Sequence, residues 1–265
     1  DLAGEVIEIG QGVVGFQLGD RVACHTDLRY HGAFAEKAII NADAAAKIPD
    51  GVSYDQAAAI LCAGMTAYET IMQKLNHVQK ETILIHAGAG GVGGYAIQLA
   101  KELGLKVMTT ASSHNHPWVE SLGADVMIDY KTDDVTAKIM KETNHEGVQL
   151  IFNTVGSVEA TKDLSRLAFA GQLAHIAGAP DLSNIAPFTL APSIHEVALG
   201  AAYNSDSTSA IKNLAFMAEA LMERIKNGNL NPIITTTLPC HELTNALRTL
   251  QSRHVRGKII VRMQE

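Results

Sequence analysis

Between Ile83 and Lys101 the chain reads ILIHAGAGGVGGYAIQLAK, an apolar run that breaks into five glycines and resumes with a different period. The run ahead of the glycines suits a strand buried on both faces. After them Val92, Ala96, Leu99 and Leu103 recur at helical spacing. Gly88-Ala89-Gly90-Gly91-Val92-Gly93 matches G-x-G-x-x-G in a strand–turn–helix setting, and that setting is what makes the pattern informative. Gly88 is expected to permit a tight turn, Gly90 to let a pyrophosphate approach the bare backbone, and Gly93 to allow close helix–strand packing. The diphosphate would then sit on a helix N-terminus, where unpaired N–H groups and a partial positive charge favour an anion. The plainer alternative is that the glycines merely fit a crossover loop.

From about residue 82 the chain alternates between extended and helical patterns. Strands are expected at 82–87, 106–111, 125–129, 149–154, 172–177 and 196–202, with apolar-periodic segments between most of them. This alternation implies a parallel sheet covered by helices on both faces, and six strands fit a doubly wound dinucleotide fold. A long helix carries Ile211, Leu214, Ala215, Ala218, Met222 and Ile225 and stops at Asn227-Gly228. Residues 1–52 read instead as short strands and turns, with GEVIEIG (4–10) and AFAEKAII (33–40) extended. Ser53-Tyr-Asp-Gln56 then forms a capping-box pattern ahead of a helix bearing Ala57, Ile60, Leu61, Gly64, Tyr68, Ile71 and Leu75. The tail resembles residues 1–52 again, with extended IITTTL, a short helix around Leu243–Leu250 and then KIIVRM. The expected division is 1–57, 58–231 and 232–265, the last part returning to the first domain.

The 265 residues are 47% hydrophobic, enough for one large core or two modest ones. A net charge of −7 and the lack of any Lys/Arg block argue against a nucleic-acid partner. No apolar run reaches the roughly 18–20 residues needed to cross a bilayer. Three widely spaced cysteines, Cys24, Cys62 and Cys240, make neither a disulfide framework nor a zinc ribbon, and they suit a reducing, cytoplasmic setting. The first residue is Asp1 and DLAGEV reads as a strand already under way, so the chain is expected to begin inside a domain.

The identity of the dinucleotide turns on the tip of the second strand. An NAD site ordinarily has Asp or Glu about 20 residues beyond the glycines. Here the strand ends VMTTASSH, offering Ser112, Ser113 and His114 and no acid. Hydroxyls donate to a 2′-phosphate that an acid would repel, so the pattern favours NADPH over NADH. The serines also suit a helix cap.

The segments DLAGEV, GDRV, GAFAEKAII, IPDGVS, AAAILCAGMTAYE, HAGAGGVGGYAIQLAK, LGADVMIDY, NTVG, GNLNP and RGKIIV run almost end to end. Together they make the chain resemble a medium-chain dehydrogenase/reductase of the zinc-independent NADPH:quinone oxidoreductase type. The resemblance implies a Rossmann domain joined to a β-rich GroES-like substrate domain that is incomplete at its N-terminus, with the active site between them. It implies that Thr66 faces the nicotinamide, that Tyr130 and Arg253 lie beside the cofactor phosphate, and that Asn153, Val155, Gly156, Ala177 and Gly178 border the cofactor at strand ends. Some relatives carry lysine where this chain has Ser113, so the NADP preference is expected to be modest. The structural zinc lobe is absent by residue content, because only Cys24 lies in its region. Cys62 matches one catalytic zinc ligand position of the zinc alcohol dehydrogenases, but one soft ligand makes no site, so no zinc is expected. His25, Asp27 and His31 read as a solvated loop.

The implied chemistry is hydride delivery to a small electrophilic acceptor, a quinone or an α,β-unsaturated carbonyl, with hydrogen-bond donors stabilising a developing enolate. The alternatives are a zinc-dependent alcohol dehydrogenase and a non-catalytic NADPH-binding, redox-responsive protein. The apolar sixth strand is expected at a sheet edge, where the resemblance implies a homodimer through the Rossmann domains.

Overall fold

The computed structural model describes residues 1–30, 32–251 and 255–264. In chain order its elements are β1 (Leu2–Glu5), β2 (Arg21–Cys24), β3 (Ala45–Lys47), α1 (Tyr54–Ala59), α2 (Cys62–Tyr68), β4 (Thr82–Ile85), α3 (Gly91–Glu102), β5 (Lys106–Thr110), α4 (His116–Ser121), β6 (Val126–Ile128), α5 (Val135–Glu142), β7 (Val148–Asn153), α6 (Ser157–Asp163), β8 (Leu167–His175), β9 (Ser193–Glu196), α7 (Thr208–Lys226), β10 (Ile234–Pro239), α8 (Leu243–Gln251) and β11 (Lys258–Arg262). They form two compact units, residues 1–65 with 198–265 and residues 66–197. The long helix α7 therefore counts with the first.

The first unit contains an antiparallel sheet in the order β1-β2-β3 and a parallel pair β10-β11. The capping box forms as read: Ser53 Oγ accepts from the Gln56 amide (3.2 Å) and Gln56 Oε1 accepts from the Ser53 amide (2.9 Å). Arg262 of β11 grips Asp55 of α1 at 2.7 Å, tying the tail to this unit. Helix α7 buries Leu214, Met217, Ala218, Leu221, Met222 and Ile225 along one stripe and ends at Asn227, ahead of Gly228 at φ +73°.

The second unit is a six-stranded parallel sheet in the order β6-β5-β4-β7-β8-β9. Its central strands are continuous apolar runs because helices cover both faces. Leu150, Ile151 and Phe152 of β7 are 0–1% exposed. Each such fully buried side chain contributes about 1.5–3 kcal/mol relative to exposure. Leu84, Met108, Ile128, Ile139, Val148, Ile151, Leu167 and Leu173 pack into a common core. Ile83 of β4 lies opposite Val107 of β5 and Leu150 of β7, so β4 stands at the centre.

Several expectations need correction. The sixth strand covers Ser193–Glu196, and a 3-10 turn occupies Leu199–Asn204 where strand was expected. Its partner β8 ends at His175, the Val197 amide makes the last bond to the His175 carbonyl (3.0 Å), and beyond it the ladder has no rungs. The segment AFAEKAII is a series of bends with Ile39 98% exposed, not a strand. The helix expected to run through Leu75 is interrupted at Ile60–Leu61 and finishes as a π-turn over Glu69–Lys74, closed by the Leu75 amide on the Thr70 carbonyl (2.9 Å). His25 does not lie on a solvated loop. It is buried, its ring stacks on Tyr203 and its carbonyl accepts from the Tyr203 hydroxyl. Asp27 is held by Arg29 at 2.7 Å, and His31 lies outside the described residues.

Candidate functional site

All six strands of the second unit point the same way, so their carboxyl ends share one edge. The strand order reverses between β4 and β7, because one leads towards β5 and β6 and the other towards β8 and β9. A crevice opens at such a switch point, and ligands of open parallel sheets bind there. The glycine loop follows β4, Ser112 and Ser113 follow β5, Tyr130 follows β6, Asn153, Val155 and Gly156 close β7, and Ala177 and Gly178 follow β8. Residues far apart in sequence thus share one rim.

The glycine loop divides its roles differently from the expectation for Gly88. The left-handed turn is taken by Ala87, at φ +52°, and Gly88 is needed instead for packing. A Cβ there would run into Thr109 Oγ1 and lie 2.8 Å from Ile97 Cδ1. Gly93 is closed by backbone rather than side chains, since its Cβ would overlap the Ala87 carbonyl and stand 2.7 Å from Gly88 Cα. Gly90 differs from both. Its backbone, φ −77° and ψ 175°, suits any residue, and a Cβ would meet only the Ala87 carbonyl, at 3.4 Å. The fold therefore leaves Gly90 a bare face that it does not itself fill. Gly90 is also the N-cap of α3, and no side chain caps it. The first backbone bond is Gly94 N–H to the Gly90 carbonyl (2.9 Å), and no acceptor among the described residues takes the amides of Gly91, Val92 and Gly93. An uncapped twelve-residue helix facing an open cradle fits the diphosphate of a dinucleotide in sterics and in charge.

At the next strand tips, Ser112 is buried and its Oγ donates to the Tyr130 hydroxyl (3.3 Å), while Tyr130 and Ser113 are exposed. The sequence showed no acid at this tip, but the fold brings one. Asp129, at the end of β6, accepts from the Ser113 amide (2.9 Å) and the Lys131 amide (3.0 Å). Those amides, the Lys131 one foremost, hold its carboxyl below the usual range.

Behind the rim lies a buried network that sequence reading missed. His86 Nε2 meets Asp163 Oδ1 at 2.9 Å and His86 Nδ1 meets Thr110 Oγ1 at 3.2 Å, and that hydroxyl oxygen also accepts from the Ala87 amide (3.0 Å). Asn153 Nδ2 donates to Asp163 Oδ2 (2.7 Å), and Asn153 Oδ1 accepts from the Val155 and Gly156 amides (3.0 and 3.1 Å). One chain of bonds thus fixes the glycine loop, the β5 tip and the β7 tip together. Burial pushes the Asp163 carboxyl up, but the hydrogen bonds and charges of His86, Asn153 and Arg166 outweigh it and hold the group below its usual range. His86, Glu159 and Asp163 have their ligand atoms within 4.8 Å of one another, close enough for a metal ion. Arg166 Nη1 already stands 2.5 Å from Glu159 and 2.7 Å from Asp163, so a cation's place is filled by the guanidinium.

Thr66 is buried in α2, where its carbonyl accepts from Thr70 Oγ1 (2.8 Å). Arg253 lies outside the described residues. Cys62, which matches one zinc ligand position by resemblance, is exposed.

Comparison with known proteins bears on the family and the fold. Residues 122–261 match the zinc-binding dehydrogenase family and residues 1–50 the alcohol dehydrogenase GroES-like domain. The chain is 30% identical to a chloroplast envelope quinone oxidoreductase homolog of Arabidopsis thaliana, over 98% of this chain and 78% of the relative. It is 33% identical to a trans-enoyl reductase of Aspergillus terreus, over 71% of this chain and 68% of that protein. It superposes on the crystal structure of Escherichia coli quinone oxidoreductase complexed with NADPH with a TM-score of 0.82 and 25% identity, covering 98% of this chain and 80% of the other. With an all-parallel, doubly wound sheet, a GroES-like first segment and these relatives, the chain belongs to the medium-chain dehydrogenase/reductase superfamily, in its quinone oxidoreductase-like family, and is an oxidoreductase.

Proposed function

We propose that the protein binds NADPH along the carboxyl edge of its parallel sheet and reduces an electron-poor quinone or α,β-unsaturated carbonyl without zinc. The observation that carries this reading is the uncapped N-terminus of α3 beside the bare face of Gly90, at the strand-order reversal. The Gly91, Val92 and Gly93 amides would hold the diphosphate. Ser112 and Tyr130 would meet the adenosine end, with Arg253 assigned there by resemblance alone. Asn153, Val155, Gly156, Ala177 and Gly178 would border the nicotinamide half. When bound, the nicotinamide supplies the hydride. Thr66 would donate a hydrogen bond to the acceptor oxygen as charge develops on it. A relative solved with NADPH and relatives named quinone oxidoreductase and trans-enoyl reductase support the cofactor and the acceptor class.

The reading extends to a homodimer joined at β9, which lies at the sheet edge, and to a reducing cytoplasmic setting suited to three free cysteines. Among the described residues no helix is long and apolar enough to cross a membrane. The test is titration with NADPH and NADH, followed by nucleotide consumption against a panel of quinones and enones and metal analysis of the active protein. Turnover with NADPH in metal-free protein is expected. Binding without turnover against every acceptor would point to a redox-responsive binding protein, and activity proportional to zinc content would point to an alcohol dehydrogenase.

A further inference from the structure

We infer that Lys131 supplies the cation that separates NADPH from NADH, acting with the hydroxyls of Ser112 and Tyr130 on the 2′-phosphate; this rests on the cofactor reading above. The strand tips leave few donors for a phosphate. The Ser113 amide is taken by Asp129 at 2.9 Å. The Ser112 hydroxyl donates to the Tyr130 oxygen at 3.3 Å, which leaves the phenol proton of this 55% exposed side chain for an acceptor outside.

Charge is the larger difficulty. Two carboxylates, Asp129 and Asp133, stand at the end of β6 and would repel a phosphate carrying about −1.5 to −2 charges at neutral pH. Asp133 is neutralised by Lys138 at 2.6 Å. Asp129 is bound by neutral groups, the Ser113 and Lys131 amides and the Ser113 side chain, and among the described residues no lysine or arginine forms an ion pair with it. A cation is needed to balance it, and Lys131 is placed to do so. Its backbone is pinned, because its own amide bonds Asp129 at 3.0 Å. Its ammonium lies 5.9 Å from the centroid of the Tyr130 ring, on the same exposed tip as the phenol. No carboxylate among the described residues pairs with it, whereas Lys101, Lys106 and Lys138 each hold one at 2.6–2.8 Å. An unpaired ammonium on a fixed backbone, beside two hydroxyls, gives a point charge suited to phosphate. NADH offers only a hydroxyl at that position and gains little from it.

The test measures dissociation constants of the full chain for NADPH and NADH at two ionic strengths, for wild type, Lys131→Ala, Lys131→Glu and Lys131→Arg. Lys131→Ala is expected to weaken NADPH about fivefold or more and to leave NADH within about twofold. Lys131→Glu should weaken NADPH further, and Lys131→Arg should restore most of the preference. The salt dependence of NADPH binding should flatten in the alanine variant. Wild type that binds both nucleotides, with an alanine variant whose NADPH-to-NADH ratio is unchanged, overturns this inference alone. Wild type that binds neither overturns the cofactor reading and this inference with it.

Discussion

Gly90→Ala and Gly93→Ala make a matched pair, the same added methyl three residues apart in one loop, with opposite expected outcomes. At Gly90 the backbone angles suit alanine and the Cβ meets only the Ala87 carbonyl, at 3.4 Å. Replacing an N-cap glycine by alanine costs about 1 kcal/mol. The stiffer unfolded chain returns about 0.4–1 kcal/mol. Stability should therefore change by less than about 1 kcal/mol. The methyl would, however, occupy the face on which the diphosphate is to rest. Losing one charge-assisted bond from the helix amides removes about 1.5–3 kcal/mol of affinity, roughly 10- to 150-fold in Kd. At Gly93 the clash is with backbone, the Ala87 carbonyl and Gly88 Cα at 2.7 Å, which no side-chain rotation relieves. Overpacking of this kind costs about 1–3 kcal/mol in stability with no ligand present. Thermal unfolding without nucleotide and titration with NADPH separate the two effects. A Gly90→Ala protein that binds NADPH as tightly as wild type would refute the placement of the diphosphate, and a fully stable Gly93→Ala protein would refute the packing argument.

Asp163→Ala should destabilise the second unit by about 3 kcal/mol, because it removes the acceptor shared by buried His86, Asn153 and Arg166, leaving Arg166 only Glu159; denaturant unfolding measures it. The folded Asp163 carboxyl titrates below its unfolded value, so its contribution is complete above about pH 4 and is lost as pH falls through the folded pKa. An acid-unfolding profile of wild type should show that loss, and Asp163→Asn should lack it. Ser53→Ala should remove half of the capping box at α1 and lower stability by about 1 kcal/mol, with NADPH affinity unchanged.

Much of the rim was legible because the physics leaves marks on single residues. Gly93 must lack a side chain where it packs on Ala87 and Gly88, and an absent side chain can be read directly. Strand ends were readable because apolar runs stop where the sheet stops. Contacts made across strands leave no local mark. His86 and Asp163 are 77 positions apart, and neither carries a pattern that announces the other. Asp129 reaches Ser113 only because β6 lies beside β5, so the sequence showed hydroxyls at that tip and concealed the carboxylate. The sixth strand was misplaced for a related reason. An apolar stretch such as EVALGAAY fits a strand or a turn equally, and the length of the neighbouring β8 decides which residues pair.

The first unit is built from two separated stretches, residues 1–65 and 198–265, with the whole of the second unit between them in sequence. On the ribosome the second unit is complete by residue 197, while the first still awaits the stretch that carries α7, β10 and β11. Synthesis therefore favours the parallel sheet maturing first and the earlier-made strands waiting, unfinished, until that stretch has been made. An unfinished unit of this kind leaves unpaired strand edges and apolar surface without their partners, the condition under which chaperones act.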